Sequence, residues 1–389
     1  MTSRARDIPS TFQYYSWAAD SFTEELGGIL CDKARDGIEV RLLYDPQGSH
    51  ASLSRSYIAR MRNAGVQMAP TSRLYPLHTI GYRNHRKTAV VDGTIGYTGG
   101  MNIGQEHLDG GKGFDAWRDT QVRIVGEGAA ALQTVFLVDW YNAVRENLFA
   151  PVFFPMLHPQ APEATHEGIG HAPGGTPQGS EGTGRVPGPH KAAAVAAEPG
   201  RAGEVADVPV QIITSGPDSQ WAGIEQLYSL MIVGAQRHVY LQSPYFILTA
   251  AMVEALRTAA LAGVDVKVML SARASGNRLP GWAGNTYIAE VVAAGVRVYL
   301  YDRGYLHAKT VSIDSQICSI GSANVDIRSF SINYELNAVL YSDRLAGELE
   351  ATFHEDLAHC REFDPAEYRS RGFPLRFRDS VARLFSPLL

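Results

Sequence analysis

Short apolar runs alternate with amphipathic segments along most of the chain. VRLLY (40–44) and VDVKVML (264–270) have the length and the β-branched content of buried strands. VEALRTAALAG (253–263) instead repeats apolar residues at helical spacing and ends in glycine, a common helix terminator. This alternation predicts βαβ units, with a largely parallel sheet in each half of the chain and helices covering its faces.

The same patterns occur twice, in the same order. DGIEVRLLY (36–44) matches AGVDVKVML (262–270), and IARMRNAGVQM (58–68) matches IAEVVAAGVRV (288–298). Further matches link FQYYSW with LQSPYF, RDTQVRIV with YELNAVLY, and FLVDW with FHEDL. The offset between the copies drifts only from 216 to 230 residues. The chain is therefore predicted to be an internal duplication of one α/β unit.

A segment of distinct composition lies between the two copies. Residues 155–206 are dominated by Pro, Gly, Ala and Ser, and such a segment buries too little apolar surface to offset the entropy of ordering. We predict a first domain over residues 1–154, a flexible linker over 155–206 and a second domain over 207–389. Four histidines are scattered through or beside this linker, and we interpret them as solvated side chains rather than metal ligands: His158, His166, His171 and His190.

The two copies differ at their starts. In the second copy, IEQLYSLMIVGAQRHVYLQSPYF (224–246) predicts a helix that leads into the first strand, whereas the first copy begins almost directly at its strand. Measured against its own repeat, the chain is expected to be truncated at the N-terminus.

No run approaches the roughly 18 apolar residues of a membrane span, and residues 1–10 have no apolar core of a secretory signal. We expect a protein that is soluble or bound to a surface.

The net charge and the cysteine content argue against several classes of function. The net charge is −5 and the pI is about 6.2. The chain therefore has no general basic field of the kind that attracts nucleic acid, and we predict no nucleic-acid partner. The cysteines Cys31, Cys318 and Cys360 are far apart and form no CxxC pair. We interpret them as reduced thiols, with neither a disulfide framework nor a zinc site.

The motif His-x-Lys-x-x-x-x-Asp is present once in each copy. Residues 85–92 read HRKTAVVD and residues 307–314 read HAKTVSID, 222 positions apart. On a strand, a histidine and a lysine two residues apart point to the same face. One imidazole can attack the phosphorus of a phosphodiester, a lysine can neutralise its oxygens, and a second imidazole can protonate the leaving oxygen. Two complete copies predict one shared catalytic site, whose motif residues are His85, Lys87, Asp92, His307, Lys309 and Asp314.

The motif aspartates have a different position from the other motif residues. Seven strand residues at about 3.3 Å each place Asp92 roughly 23 Å from His85. A role in the turn is therefore favoured for Asp92 and Asp314 over direct orientation of a histidine. The Asp-Gly pair at residues 92–93 also predicts a hairpin.

Residues after each motif can support the phosphate or the imidazoles. Asn102 and Asn324 each lie seventeen residues beyond their histidine, and together with Ser322 they can donate hydrogen bonds to phosphoryl oxygens. Asp119 and Glu335 align with each other across the repeat. A carboxylate on imidazole Nδ1 fixes the tautomer and supports the imidazolium, so we predict that Asp119 and Glu335 orient the histidines.

These residues give the chain its resemblance to the phospholipase D superfamily, and more narrowly to bacterial cardiolipin synthases. Besides the paired motifs, the likeness is carried by GGMN (99–102), GSAN (321–324), WRDT (117–120), QSPYF (242–246) and RLFSPLL (383–389). It implies an α/β fold of two duplicated phospholipase D-like domains. Each would have a mostly parallel or mixed sheet flanked by helices, and a pseudo-twofold axis would relate them. The two motifs would then meet in one metal-independent site that needs no cofactor.

The resemblance implies a ping-pong phosphatidyl transfer. One histidine attacks the phosphate of phosphatidylglycerol, displaces glycerol and becomes a phosphatidyl-histidine. The other histidine acts first as an acid and then as a base for the hydroxyl of a second phosphatidylglycerol, and the product is cardiolipin. We favour His85 as the nucleophile and His307 as the acid and base, although the pseudo-symmetry leaves the reverse assignment open.

Two other functions fit parts of the sequence. The same two histidines would serve a phospholipase D-type hydrolase or another phosphodiesterase, with water in place of the alcohol; the acidic pI disfavours a nuclease. A lipid-binding or scaffold protein that has lost catalysis would show decay of one motif, and both motifs are intact.

The C-terminal segment offers one route to membrane contact. Members of the family usually carry N-terminal transmembrane helices, which this sequence lacks. Residues 368–389 hold five arginines and one aspartate interleaved with Phe and Leu, so this segment can lie on anionic lipid. Alternatively, its apolar residues pack on the second domain while the arginines face water. We expect a peripheral protein on the cytoplasmic side of the bacterial cell membrane that binds phosphatidylglycerol and the anionic membrane surface, with no protein partner.

Overall fold

The computed structural model describes residues 8–49, 52–72, 81–110, 113–157, 205–273 and 278–388. The predicted linker falls almost wholly outside these residues, as do the four histidines assigned to solvent. The domain boundaries and the linker therefore stay predictions.

Seven strands and four helices are described in the first half of the chain. The strands are β1 (Ser10–Tyr14), β2 (Val40–Tyr44), β3 (Gln67–Pro70), β4 (Lys87–Val91), β5 (Ile95–Gly99), β6 (Trp117–Arg118) and β7 (Gln121–Val125). The helices are α1 (Ser21–Arg35), α2 (Arg55–Asn63), α3 (Glu106–Asp109) and α4 (Glu127–Val144), followed by a 3₁₀ turn at Pro151–Phe153.

The second half repeats this order with additions at both ends. Its strands are β8 (Val210–Ser215), β9 (His238–Ser243), β10 (Phe246–Ile247), β11 (Asp265–Ser271), β12 (Arg297–Tyr301), β13 (Tyr305–Leu306), β14 (Thr310–Ile313), β15 (Ile317–Gly321), β16 (Val325–Asp326), β17 (Glu335–Tyr341) and β18 (Cys360–Glu362). Its helices are α5 (Gly223–Gly234), α6 (Ala250–Leu261), α7 (Leu279–Val292), α8 (Ile327–Ser331), α9 (Asp343–Leu357), α10 (Pro365–Ser370) and α11 (Phe373–Leu384), followed by a 3₁₀ turn at Ser386–Leu388.

The two main sheets share one strand order. The first sheet runs β3-β2-β1-β4-β5-β7 and the second β18-β12-β11-β9-β14-β15-β17-β8. In both sheets, the strands that precede the motif pair in parallel, because helices connect them. The strands from the motif onward pair antiparallel. The expected α/β fold is confirmed, but each sheet is mixed rather than largely parallel.

Tight turns explain the antiparallel part of each sheet. Asp92 and Gly93 have φ values of 52° and 60°, and Asp314 and Ser315 have values of 55° and 56°. Two consecutive left-handed residues form the hairpin turn that matches the twist of the flanking strands. The predicted hairpin between β4 and β5 is present, and its counterpart joins β14 to β15.

Helix ends follow the local sequence. Thr249 caps α6 by accepting a hydrogen bond from the backbone N–H of Met252. The helix ends at Leu261, and Gly263 follows with φ of +90°, a conformation that glycine adopts without strain. The predicted helix and its glycine terminator are therefore both observed.

The two halves pack on each other beside the motif strands. A small apolar cluster contains side chains from both halves: Val90, Ile124, Leu132, Leu336 and Ala338. Strands β6 and β13 form a two-stranded parallel sheet across the same boundary. This packing brings the ends of β4 and β14, where the motifs begin, to one interface.

No helix within the described residues is long and apolar enough to cross a membrane. Cys31, Cys318 and Cys360 are free thiols, with Cys31 and Cys318 buried.

Candidate active site

Backbone hydrogen bonds across the interface position both motif histidines. The N–H of His85 donates to the carbonyl oxygen of Tyr334 at 2.9 Å. The N–H of His307 donates to the carbonyl oxygen of Arg118 at 2.7 Å. Tyr334 immediately precedes Glu335, and Arg118 immediately precedes Asp119. Each histidine is therefore held beside a carboxylate of the opposite half.

The side chains complete the crosswise arrangement. Nδ1 of His85 lies 3.0 Å from Oε1 and 3.1 Å from Oε2 of Glu335. Nδ1 of His307 lies 2.7 Å from Oδ2 of Asp119. A carboxylate on Nδ1 fixes the tautomer in which Nε2 carries the lone pair. Both imidazoles are thus arranged to present Nε2 for chemistry.

A cavity of about 390 Å³ lies between the two halves. His85 and His307 both line it, and so do Asn102 and Asn324. Tyr15 also lines the cavity, and its ring packs edge-on against His85 with the ring centroids 4.8 Å apart. The structure thus brings together four residues that the sequence placed in one site.

The two motif lysines lie behind the histidines. Nζ of Lys87 donates to the carbonyl oxygen of His85 at 2.7 Å, and Nζ of Lys309 donates to that of His307. Each lysine is only 1% exposed. Burial lowers the pKa of Lys87 to about 7 and that of Lys309 to about 8. The site therefore contains two ammonium groups that lose their protons unusually easily.

Both histidines favour the neutral form at neutral pH. Burial lowers the pKa of His85, and Glu335 opposes this effect only in part. The pKa of His307 lies well below its ordinary value, because burial is reinforced by the charges of Lys309 and Lys87. A neutral imidazole has the free lone pair that nucleophilic attack requires.

The two carboxylates differ in their electrostatics. Burial by itself raises the pKa of Glu335, but His85, Lys87 and a hydrogen bond from Ser322 outweigh it, and the pKa lies below its usual value. Burial raises the pKa of Asp119 above its usual value, although Lys309 opposes the increase. Glu335 is therefore the more firmly ionised of the two.

The predicted role of Ser322 has to be corrected. Its side chain is fully buried, and Oγ donates to Oε2 of Glu335 at 2.5 Å instead of facing the cavity. Ser322 supports the carboxylate and not a phosphate. Gly100 holds the corresponding place in the first half, where a Cβ atom would lie 2.1 Å from Oδ1 of Asp119. Only glycine leaves room for the carboxylate there.

The motif aspartates lie at the far ends of their strands, away from the cavity. The carboxylate of Asp314 accepts hydrogen bonds from the backbone N–H groups of Gln236, Arg237 and His238, at 2.8 to 2.9 Å. These bonds tie the β14–β15 turn to the start of β9. Asp92 is exposed at the equivalent turn, where its backbone N–H lies 3.4 Å from Oγ of Ser10. Asp314 is placed to stabilise its turn, and neither aspartate is placed to orient a histidine.

A third histidine, which the repeated motifs do not include, lies beside the site. His107 is buried, and its ring centroid lies 5.9 Å from that of His307. Its Nε2 accepts a hydrogen bond from the backbone N–H of Asn102, so the proton is on Nδ1, which lies 3.9 Å from Oδ2 of Asp119. Burial lowers the pKa of His107 to about 3, so the ring is neutral.

The repeat contains a signal for this residue. In the second half the backbone N–H of Asn324 donates to Oγ of Ser329, five residues beyond the asparagine. His107 lies five residues beyond Asn102. The hydrogen bond from the asparagine N–H is therefore accepted by a histidine in the first copy and by a serine in the second. This difference makes the two half-sites asymmetric.

Aromatic rings enclose His307. The ring of Trp117 lies 5.5 Å from that of His307, and the ring of Tyr305 lies 5.7 Å from it. Trp117 and Tyr305 also pair in register across the β6–β13 sheet. The rings come from both halves and restrict the motion of the imidazole.

The chain is similar to known proteins over most of its length. The family model described as cardiolipin synthase, PLD-like domain, matches twice, over residues 7–136 and 228–357. The major cardiolipin synthase of Bacillus subtilis is 37% identical over 97% of this chain and 70% of its own length. A cardiolipin synthase of a Geobacillus species is 38% identical over 97% of this chain and 67% of its own.

A solved structure agrees with the fold. Phosphatidylserine synthase of Haemophilus influenzae superimposes with a TM-score of 0.65, over 99% of this chain and 91% of that one, at 12% sequence identity. At this identity the likeness shows the fold alone. The duplicated family match and the extended similarity to the curated relatives show more: the chain belongs to the cardiolipin synthase family of phospholipase D-like proteins.

Proposed function

We propose that this phosphatidyltransferase makes cardiolipin and glycerol from two molecules of phosphatidylglycerol through a phosphatidyl-histidine. The observation that carries the proposal is the crosswise pairing of His85 with Glu335 and of His307 with Asp119 on one cavity. It supplies two imidazoles with free Nε2 atoms, one for attack and one for proton transfer.

In the first half-reaction, Nε2 of His85 attacks the phosphorus of the donor lipid. The bond from phosphorus to the glycerol oxygen breaks as the N–P bond forms, and protonated His307 gives its proton to that oxygen. The anionic phosphodiester favours the imidazolium form of His307 when it binds. The ionised Glu335 supports the positive charge that develops on the substituted His85 ring, which favours His85 as the nucleophile.

In the second half-reaction, the acceptor lipid brings its terminal hydroxyl to the intermediate. His307 now takes the proton of that hydroxyl, the new O–P bond forms, and the N–P bond breaks. His85 returns to its neutral state, and the product leaves. Asn102 and Asn324 line the same cavity, where their side chains can donate to the phosphoryl oxygens.

Hydrolysis is the second candidate. The arrangement of the two imidazoles would serve water as well as an alcohol. The similarity to curated cardiolipin synthases over 97% of the chain favours the alcohol.

The test is an incubation of the purified chain with phosphatidylglycerol in mixed micelles that contain EDTA, followed by separation of the lipids. We expect cardiolipin and one equivalent of released glycerol. Phosphatidic acid as the only product would replace the transferase by a hydrolase. A folded sample without any product would contradict both. The His85→Gln variant is the inactive control.

We also propose that α11 attaches the protein to the anionic surface of the membrane. Its inward face contains Asp379 and Ala382, both fully buried. Three of its large apolar residues instead face outward: Phe373 is 78% exposed, Phe377 58% and Leu384 78%. Because these side chains do not pack on the second domain, the lipid-binding alternative is favoured over the packing alternative.

The charge of this helix agrees with an anionic surface. Arg378 and Arg371 pair with Asp379, while Arg376 is exposed beside the outward-facing phenylalanines. Basic and aromatic side chains on one exposed helix suit the headgroup region of an anionic bilayer. We place the protein on the cytoplasmic face of the bacterial membrane, where its free thiols would stay reduced.

A further inference from the structure

A second, larger cavity adjoins the catalytic one. This groove has a volume of about 870 Å³, and it shares Tyr245 and Pro280 with the catalytic cavity as a common wall. Its floor is apolar and is formed by Phe246, Leu270, Ile288, Leu300 and Phe363. A volume of this size suits a ligand as large as a lipid headgroup with its glycerol backbone.

Five arginines line the groove: Arg273, Arg278, Arg361, Arg371 and Arg378. Two carboxylates line it as well, those of Asp364 and Glu367. The wall therefore carries an excess of positive charge.

The arginines fall into two groups. Arg371 and Arg378 lie 3.6 Å and 2.7 Å from oxygens of the buried Asp379, so both already have a carboxylate partner, which they share. Among the described residues, no carboxylate forms an ion pair with the other three, Arg273, Arg278 and Arg361. These three guanidinium groups are available for an anion.

The groove, like the catalytic site, includes both halves of the chain. The guanidinium of Arg273 lies 5.0 Å from the ring centroid of Phe114, which belongs to the first half. This cation–π contact holds Arg273 at the side of the groove that faces the interface.

The proposed reaction brings a second phosphodiester close to the catalytic cavity. In the second half-reaction the donor phosphate is bonded to His85, and the acceptor hydroxyl must reach it. The phosphodiester of the acceptor lies one glycerol unit away from that hydroxyl. It must therefore leave the catalytic cavity and enter an adjoining space. An anion there needs positive partners, and arginine binds phosphate oxygens through two parallel hydrogen bonds.

On the basis of the proposed function, we propose that the groove binds the phosphodiester of the acceptor phosphatidylglycerol through Arg273, Arg278 and Arg361. The apolar floor receives the glycerol backbone and the first part of the acyl chains.

The position of α11 supports this assignment. Leu375 and Arg378 of α11 line the groove, and the exposed Phe373 and Phe377 lie on the same helix. The groove thus opens beside the surface that we place on the membrane. An acceptor lipid can enter it without leaving the bilayer completely.

The subsite gives the enzyme a preference among acceptors. Water and free glycerol reach the phosphatidyl-histidine without using the groove, whereas phosphatidylglycerol gains its phosphate contacts there. The three arginines therefore favour cardiolipin synthesis over hydrolysis and over return of the phosphatidyl group to glycerol.

The test compares two reactions of the same intermediate. One is cardiolipin synthesis, and the other is exchange of labelled free glycerol into phosphatidylglycerol. Both use the same donor lipid, but only the first uses a phosphorylated acceptor. We expect Arg273→Gln, Arg278→Gln and Arg361→Gln each to lower the ratio of synthesis to exchange, by about tenfold for the loss of one charged hydrogen-bonding partner.

Arg257→Gln is the matched control, because Arg257 is exposed on α6 and pairs with Glu254 on the same helix. Thermal melts identify variants that fail to fold, and Arg273→Met, Arg278→Met or Arg361→Met, which also removes the charge, then takes the place of the corresponding Gln variant. An unchanged ratio in all three variants overturns the acceptor subsite, as does an equal loss of both reactions in folded proteins. A wild-type enzyme that yields no cardiolipin overturns the proposed function itself, so the two failures are distinguishable.

Discussion

Nδ1 of His85 lies 3.0 Å from a carboxylate oxygen of Glu335, although 250 residues separate the two positions in the chain. The reciprocal pair, His307 with Asp119, spans 188 residues. Each half of the duplication therefore supplies one imidazole and the carboxylate that supports the imidazole of the other half. The active site does not exist until the halves have docked.

Glu335→Gln and Asp119→Asn are each expected to lower kcat by about 10²- to 10⁴-fold, because an amide keeps the hydrogen bond but does not support a positive imidazole. The measurement is kcat for cardiolipin synthesis, with Glu348→Gln, an exposed carboxylate on α9, as the control. Near-normal rates in either variant would contradict the crosswise support.

The nucleophile can be identified with phosphatidyl-p-nitrophenol, whose leaving group departs without a proton. His307→Gln is expected to release a burst of one equivalent of nitrophenol and to retain the lipid covalently, since His85 can still attack. His85→Gln is expected to show no burst. The opposite pattern would reverse the assignment, and absence of a burst from both would contradict the covalent intermediate.

Alkaline pH is expected to reduce kcat/KM. The pKa values of Lys87 and Lys309 are about 7 and 8, and the ammonium form of each is present below its pKa. As pH rises through this range, the positive charge that attracts the phosphodiester is lost. A bound anion favours the ammonium form, so the alkaline limb of kcat should lie at higher pH than that of kcat/KM. A kcat/KM that keeps rising to pH 9 would refute this role.

His107 is expected to act as a positioning residue for Asp119. His107→Ser copies the residue of the second half and removes the Nδ1–H that faces the carboxylate. We expect kcat to fall about tenfold with KM unchanged, and the acid limb of the pH profile to move to higher pH, because the pKa of Asp119 rises further. His107→Gln, which keeps an N–H donor, should restore part of kcat. A change confined to thermal stability would mean that His107 has only a structural role.

Removal of the outward-facing aromatic residues of α11 is expected to weaken membrane binding. Phe373→Glu combined with Phe377→Glu should reduce cosedimentation with phosphatidylglycerol vesicles about tenfold or more, since it removes apolar contact and adds negative charge. Leu261→Glu, at a residue that is 72% exposed on another helix, is the control. Equal binding by the two proteins would place the attachment elsewhere.

The sequence contained most of the fold and much of the candidate site. The hairpin at Asp92 and Gly93 followed from turn chemistry, and the alignment of Asp119 with Glu335 followed from the repeat. The same turn signal also explains why the sheets are mixed, since a two-residue hairpin can join only antiparallel strands. The helical patterns before the motifs account for the parallel strands of each sheet, because helices connect those strands.

Other features depend on side-chain packing that a linear pattern does not contain. Alignment paired Asp119 with Glu335 but could not assign each carboxylate to the histidine of the opposite half. Ser322 was expected to face the phosphate, because its hydrogen bond to Glu335 depends on which side of the strand is buried. His107 stayed unnoticed because its counterpart, Ser329, is a different residue type.

Crosswise pairing also links the evolutionary histories of the two copies. In the proposed mechanism, a substitution at Glu335 disables an imidazole encoded in the other copy, so neither duplicate can drift at these positions without loss to both. Positions that serve only their own copy are under no such constraint. His107 and Ser329, each bonded to the asparagine of its own half, show how far such positions can diverge. After the duplication, the enzyme could therefore specialise its two half-sites without ever being able to discard one of them.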